Sequence, residues 1–434
     1  IESLHKLLEK AGISPSEVAF IAHSTTQATN ALLEGDVAEV GIIGMGKGME
    51  KLRAKTETNV AHIELAPGRF LKTHHRFLDT SEKPTSDTIN KLIDELLAEG
   101  AQVIVAAESF SVDDPANELL ILDTCVERGI PASATHEISQ LYGLKLRTRT
   151  AVINASMLVK MMETANMTEK SVKEAGIKAP LMIMRSDGGV MDIEQMRKRP
   201  ILTMLSGPAA GVAAALMYAR ISDGIFLEVG GTSTDISAIQ NGKALIKTAE
   251  VGGHRVYLRT LDVRTIGIAG GSMVRVKGNH VEDVGPRSAH IAGLGYASFS
   301  KAEEFSSATL KHIRPKEGDP DDYIYIEGQS GKKVSLTPTC ASNILGLVPE
   351  DNCAKGDMNA IKAAFVPLCQ QLKSNEEHTA KAILEKACPK AVKVVTQLIK
   401  EYKLDPTLIS LIGGGGGAAA IVPYTAKMMQ MKTF

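Results

Sequence analysis

The chain has 434 residues, 44% of them hydrophobic, with 49 Lys and Arg against 50 Asp and Glu. This is an ordinary globular composition, long enough for two or three domains. A formal charge of -1 gives no reason to expect nucleic acid or an anionic membrane as partner, no run approaches the roughly 20 apolar residues that span a bilayer, and no signal peptide is visible.

The five cysteines are odd in number and show no C-x-x-C spacing, so reduced thiols and a cytoplasmic location are expected. The first residue is Ile and not Met, as expected of a processed or truncated start. Residues 3–12 have helical periodicity ending at Gly12. A strand over 18–23 leads through HSTTQATN (23–30) into a short helix, and a second strand over 37–43 closes in GMGKG (44–48). The strand-to-helix junction gathers His23, Thr25, Thr26 and Asn30 where N–H groups and a helix dipole face an anion. The competing reading is a plain cap by Ser24 or Thr25.

Residues 50–85 are polar with little periodicity, and His74 and His75, adjacent on a strand, point to opposite faces. A helix over 88–99, a buried strand over 103–107, a helix over 114–127 and a strand over 132–138 follow. That alternation predicts an α/β domain with a largely parallel sheet. The periodicity gives one long helix over 147–175 and a strand over 180–184 running into RSDGG (185–189). SGPAAG (206–211) opens an Ala-rich helix; Ser206 and Gly207 there form either an anion site or a well-made cap.

FLEVGGTSTDIS (226–237) is strand, glycine turn and strand. A P-loop or a dinucleotide fingerprint would run into a helix, and this does not. Its tip carries hydroxyls on Thr232, Ser233 and Thr234 and the carboxylate of Asp235. Backbone N–H groups and hydroxyls on such a tip bind phosphate, while the carboxylate takes magnesium. An ordinary β-turn is the alternative. A second glycine connection, TIGIAGGSM (265–273), follows, then 278–335 read as loops with a small hairpin around 323–327. Residues 359–402 are helical with breaks expected near 374–375 and at Pro389. Finally a strand over 408–412 enters five glycines (413–417) and a helix over 418–431. The glycines serve either close approach of a flat ligand or tight packing of the helix that follows.

These blocks, in this order, resemble the hydantoinase/oxoprolinase family of the actin, heat-shock-70 and sugar-kinase fold. HSTTQATNALLE (23–34) is similar to that family's H-G-T-T-x-A-T-N-A-L-L-E, and 110–118, 135–138, RSDGG, SGPAAG, GGTSTD (230–235) and 265–272 correspond to later blocks in register. The resemblance implies an α/β, two-domain actin-like ATPase (ribonuclease H-like) fold, with an N-terminal domain over 1–200 and a catalytic domain over 201–434. It implies ATP and magnesium, or another divalent metal, in the interdomain cleft. Gly230, Gly231, Thr232, Ser233 and Thr234 become the second phosphate loop, and Gly207, Gly413, Gly414, Gly415 and Gly416 further nucleotide contacts. Asp235 is the expected metal ligand. Asp235, His23 and Asp187 are the expected catalytic residues, and Thr25, Thr26, Asn30 and Asp262 the expected substrate contacts. The reaction implied is ATP-driven opening of a five-membered cyclic amide such as a hydantoin or 5-oxoproline, with a second family subunit or a second copy of the chain as partner. Carboxylation of ketones, as in other members, or a non-catalytic actin-fold role are the alternatives.

Several positions depart from the pattern. The family's first phosphate hairpin, D-x-G-G-T-x-T-D, has no counterpart in the sequence. Glu228 stands where an Asp is usual, Ser24 replaces a Gly, Arg264 replaces a His, and TPTCAS (337–342) replaces T-x-T-D-A-N, so that Cys340 and Ser342 stand for an acid and an amide.

Overall fold

Three large apolar clusters form around two different sheets. The computed structural model of the chain describes residues 2–61, 63–66, 68–329 and 331–433. It divides into two compact units, Ile1–Ala210 with Ile246–Leu261, and Gly211–Leu245 with Asp262–Phe434.

The first unit is built on a parallel sheet in the order Thr73–Asp79, Val40–Gly46, Val103–Glu108, Ala132–Ala134. Both faces of its central strands are covered, which is why those strands are continuously apolar and do not alternate. Ile43, Met45 and Ile104 pack against Ile89, Ile93 and Ile121 of the Ser86–Ala98 and Ala116–Glu127 helices. Val40, Ile42 and Val105 pack toward Val152 and Ile153 of the Leu144–Ser156 helix. A separate small sheet pairs Ile21–His23 in parallel with Leu181–Met184, which pairs in turn with Val190–Asp192. The hairpin of Ile246–Val251 and His254–Leu261 belongs to this unit. Its turn residue Gly252 has φ 54°, and a Cβ there would lie 1.5 Å from the Glu64 carbonyl oxygen.

The second unit carries a sheet ordered Lys243–Ala244, Thr234–Gln240, Gly224–Val229, Ser410–Gly414, Lys432–Thr433, with Val263–Ile266 beside Thr234–Gln240. Ile225, Leu227 and Leu411 of this sheet share a core with Ile383, Leu384, Val395 and Leu398 of the Glu376–Tyr402 helix and Ile421 of the Ala418–Met429 helix. A second six-stranded sheet completes the unit.

Several expectations are corrected. The helix expected over 147–175 is two helices, Leu144–Ser156 and Leu158–Glu174, parted at Met157. The strand expected over 132–138 stops at Ala134, and Thr135–Ile138 is a helical turn. There the buried Glu118 carboxylate accepts from the Thr135 hydroxyl and the His136 N–H, which bends the chain inward. Pro389 does not break its helix, which runs from Glu376 to Tyr402. Pro389 is exposed, while Cys388, Ala391 and Val395 on either side are fully buried and hold the helix across the lost hydrogen bond. Residues 50–85 hold a helix and strands, Lys51–Thr58, Ile63–Ala66, Arg69–Leu71 and Thr73–Asp79; His62 and Pro67 lie outside the described residues. The region 278–335 supplies most of the second sheet of the second unit, including His280–Ser288, Thr309–Ile313 and Tyr323–Glu327. Among the described residues no helix is long and apolar enough to cross a membrane.

Candidate functional site

The strand Gly224–Val229 returns antiparallel as Thr234–Gln240, closed by a bond from Gly230 N–H to the Ser233 carbonyl. Around this tip the other two glycine segments of the second unit converge. Gly270 and Gly271 donate N–H bonds to the Gly230 and Gly231 carbonyls, and Gly417 donates to the Val229 carbonyl. The approach is backbone on backbone: a Cβ on Gly417 would lie 2.5 Å from the Gly230 oxygen, and one on Gly271 would lie 2.6 Å from the Gly231 oxygen. The stacking sets the N-terminus of the Ala418–Met429 helix, whose N-cap Gly417 makes no side-chain cap bond, directly against the hairpin tip. Among the described residues, the N–H groups of Gly231, Thr232 and Ser233 have no backbone acceptor. Free N–H groups on a turn, beside the positive end of a helix, form an anion-binding surface.

The three tip hydroxyls differ. Thr232 Oγ1 shares a 3.0 Å hydrogen bond with Ser288 Oγ. Thr234 is fully buried and donates to the Ile268 carbonyl at 2.5 Å, so it faces the core and away from any phosphate. Among the described residues, Ser233 alone of the three makes no side-chain hydrogen bond to protein.

Across the sheet, Gly414, Glu228, Asp235 and Thr265 stand in one row of facing residues. Facing residues present their side chains on the same side, so the two carboxylates are neighbours. Asp235 Oδ1 accepts from the Thr265 hydroxyl at 2.5 Å. Glu228 is half-buried, and its Oε2 is enclosed with no hydrogen-bond partner. Burial, and after it the Asp235 charge, raise the Glu228 carboxyl above the usual carboxylate range. Glu228 was noted in the sequence only as a departure from pattern; its pairing with Asp235 required the register. Among the described residues no three His, Cys, Asp or Glu side chains converge on one point. Magnesium needs as little as one carboxylate alongside phosphate oxygens, and Asp235 beside the free N–H groups of the tip fits a magnesium nucleotide.

A cavity of about 420 Å³ adjoins this row, lined by Gly211, Tyr218, Phe226, Glu228 and Gly413–Gly415 among others. The five glycines do not form one bare surface. The Phe226 ring covers Gly414, where a Cβ would meet it at 2.7 Å, and Gly415 has φ 84° with the Val229 oxygen 2.6 Å from a Cβ. Only at Gly416 would a side chain meet nothing within 4 Å. Packing therefore explains four of the five, and Gly416 is the open position.

In the first unit, His23 ends its strand half-buried, and burial lowers its imidazole below the usual range. Thr26 and Asn30 are exposed and bonded to each other, Asn30 Nδ2 donating to Thr26 Oγ1 at 3.4 Å. Thr25 is buried; its N–H donates to Ser206 Oγ at 3.2 Å, and that hydroxyl donates back to the Thr25 carbonyl at 3.1 Å. The 23–30 and 206–207 blocks are thus joined, and Gly207 brings a would-be Cβ to 3.9 Å from Thr26 Cγ2. Thr26, the N-cap of the helix Gln27–Glu34, makes no side-chain cap bond, but Thr25 Oγ1 accepts from the Gln27 N–H at 3.2 Å, as the cap reading expected of Thr25. Asp187 accepts from Arg185 at 2.6 Å and from the Gly189 N–H at 3.1 Å. In the second unit, Asp262 is buried and accepts from Tyr402 at 2.7 Å and Arg264 at 3.1 Å, and Arg264 also pairs with Glu401. Both carboxylates are held in ion pairs. Cys340 lies buried against Ser298 Oγ at 3.1 Å, and Ser342 donates to the Ala420 carbonyl at 2.7 Å.

The chain is 27% identical over 311 residues to the caprolactamase subunit alpha of Pseudomonas jessenii, an alignment covering 66% of this chain and 44% of the relative. It is 24% identical over 321 residues to the acetophenone carboxylase gamma subunit of Aromatoleum aromaticum, with 65% and 43% covered. It is 23% identical over 443 residues to the 5-oxoprolinase of Dictyostelium discoideum, with 86% and 34% covered. The chain thus spans less than half the length of each of these three relatives. Among solved structures, the ATP-dependent caprolactamase of Pseudomonas jessenii superposes with a TM-score of 0.66 at 22% identity over 99% of this chain and 62% of that one. Acetone carboxylase, in a nucleotide-free structure, gives 0.60 at 19% identity over 98% and 61%. The fold of this chain is the actin-like α/β fold of those proteins. The hydantoinase/oxoprolinase N-terminal region model matches residues 1–129 and the hydantoinase/oxoprolinase model residues 147–434. Because the two matches together take in nearly the whole sequence, the chain belongs to the hydantoinase/oxoprolinase family.

Proposed function

We propose that the chain is the nucleotide-binding part of an ATP-dependent enzyme that opens a cyclic amide. The observation that carries this reading is the hairpin tip, with three unengaged N–H groups against a helix N-terminus and Asp235 in the strand behind them. When bound, ATP supplies a phosphoryl group that activates an amide oxygen toward loss and its carbon toward water. The N–H groups of Gly231, Thr232 and Ser233 and the Ser233 hydroxyl hold phosphate oxygens, which positions the nucleotide and neutralises its charge. Asp235 holds magnesium, with Thr265 fixing its other oxygen. Gly416 leaves room for the adenosine. His23, Thr26 and Asn30 offer a neutral ring nitrogen, a hydroxyl and an amide to the substrate.

Two relatives bear names of cyclic-amide hydrolases, caprolactamase and 5-oxoprolinase, which supports this substrate class over others. The similarity to an acetophenone carboxylase subunit favours carboxylation of a ketone as the second reading. Relatives named as an alpha and a gamma subunit support a second subunit as partner. Asp187 and Asp262, both ion-paired, have no part in the chemistry proposed.

The test is Asp235→Asn, assayed with magnesium and ATP by turnover in the presence of caprolactam, 5-oxoproline and hydantoin, and by thermal stabilisation. A metal contact or its direct support is worth about 10–100-fold in affinity or rate, and a loss of that size in both readouts is expected. Unchanged nucleotide stabilisation in the folded variant removes Asp235 from the site.

A further inference from the structure

The parallel sheet of the first unit has a feature that the nucleotide reading does not use. From Val40–Gly46 the chain moves to Thr73–Asp79 on one side, then crosses back to Val103–Glu108 and Ala132–Ala134 on the other. The winding reverses between Gly46 and Glu108, and in open α/β sheets ligands bind in the crevice outside the carboxyl ends at such a reversal. Two cavities lie there. One of about 250 Å³ is lined by Gly46, Lys47, Glu108, Phe110 and Asn117 among others, and one of about 240 Å³ by Arg53, Phe110, Tyr142 and Arg147 among others. Glu50, Ser109 and Phe110 line both, so the cavities are neighbours.

The chemistry of the crevice is set by Arg147, whose side chain is 1% exposed. Its guanidinium donates to the Glu108 carbonyl at 2.8 Å, to Ser111 Oγ at 3.3 Å and to the Leu141 carbonyl at 3.5 Å; its Nε has no partner. Among the described residues no carboxylate pairs with it. The two buried acids nearby are engaged elsewhere: Glu118 accepts from Glu108 N–H, Thr135, His136 N–H and His136 Nδ1, and Glu108 accepts from Thr80 and Asn117. A buried cation without an anion in contact is costly; burial lowers the Arg147 pKa, and the charges of Glu118 and Asp113, near but not in contact, only partly oppose it. At the rim, Phe110 is held at φ 62°, in the left-handed region, with its ring 56% exposed and edge-on to Tyr142 at 6.3 Å. Strained non-glycine backbone and exposed aromatic rings together at a cavity mouth point to a ligand contact. Arg53 on the rim is already paired with Glu57 at 2.8 Å.

We propose that this crevice binds a small organic carboxylate, its anionic group on Arg147 and its apolar body against Phe110 and Tyr142. The site lies wholly in the first unit and does not depend on the nucleotide reading. The alternative is that Arg147 only pins the 108–111 loop.

The probes are benzoate and hexanoate, with benzamide as the uncharged control, titrated into the full chain and followed by calorimetry and by saturation-transfer NMR. Binding of at least one carboxylate, with none of benzamide, is expected. Phe110→Gly relaxes the left-handed backbone while removing the ring, so the variant folds; it is expected to weaken the carboxylate by about tenfold or more. Tyr142→Ala, on an exposed ring, is expected to weaken it in the same direction. Failure of both carboxylates to bind the folded chain, benzamide binding as well as benzoate, or carboxylate affinity unchanged in Phe110→Gly overturns the proposal.

Discussion

At the residue scale the decisive pair is Glu228 and Asp235, adjacent carboxylates of which only Asp235 has a side-chain donor among the described residues. The folded chain holds the Glu228 proton more tightly than the unfolded chain, because burial and the Asp235 charge both disfavour its ionised form. The associated stability is full below the ordinary value of 4.5 and is lost as pH rises through the raised folded-state value. Glu228→Gln removes that loss. We predict a higher melting temperature for the variant near pH 7 and none near pH 4, each 1 kcal/mol reading as about 2–4 °C in a unit of this size. Circular dichroism melts across that range check it; a gain that does not depend on pH means that charge is not its cause. Asp235 was legible as a candidate because it follows a glycine turn rich in hydroxyls. Thr234, Asp187 and Asp262 were legible only as polar residues in a motif. That Thr234 donates into the core depends on Ile268, 34 residues on; that Asp262 is held depends on Tyr402, 140 residues on, together with Arg264 beside it, and Asp187 is held by the turn geometry at 185–189.

At the element scale, strands and helices followed their hydrophobic periods closely where pairing is local or burial continuous. The hairpin through 230–233 and the strand–glycine–helix at 410–429 are examples. The strands between 272 and 335 include local hairpins, such as Lys277 facing His280 and Glu327 facing Lys333, but most are short and Gly, Pro and charged residues separate them, so their period is too brief to read. The glycine segments show the same division. Five glycines in a row announce that backbone must approach something closely; only the structure says that it is mostly other backbone. Two substitutions separate the causes. Gly417→Ala forces a Cβ to 2.5 Å from the Gly230 oxygen and is predicted to destabilise by about 1–3 kcal/mol, as overpacking does. Gly416→Val meets open space and is predicted to change stability by less than about 0.5 kcal/mol while abolishing stabilisation by magnesium ATP. Thermal shift with and without nucleotide reads both, and a Gly416→Val protein that still responds to nucleotide places the adenosine elsewhere.

At the scale of the whole molecule, the chain does not finish one unit before starting the next. Residues 246–261 leave the second unit's sequence to form a hairpin of the first. Its turn rests on the strand Ile63–Ala66, with Gly252 against the Glu64 carbonyl. Gly252→Ala, strained at φ 54° and blocked by backbone, is predicted to cost more than about 3 kcal/mol. Hydrogen exchange should show protection lost in 246–261 and 63–66 together; loss confined to the hairpin would mean that the contact is not a support. By itself the sequence determined the α/β class, the parallel sheet of the first unit, the glycine hairpin and the family, because period, glycine turns and ordered motifs are local properties of the chain. Tertiary structure alone decided which hydroxyls face a ligand, that Glu228 and Asp235 share a face, which glycine is open, and that a buried Arg147 lies at the reversal of the sheet. Each of these depends on register and on neighbours far apart in the chain, and no local pattern encodes them.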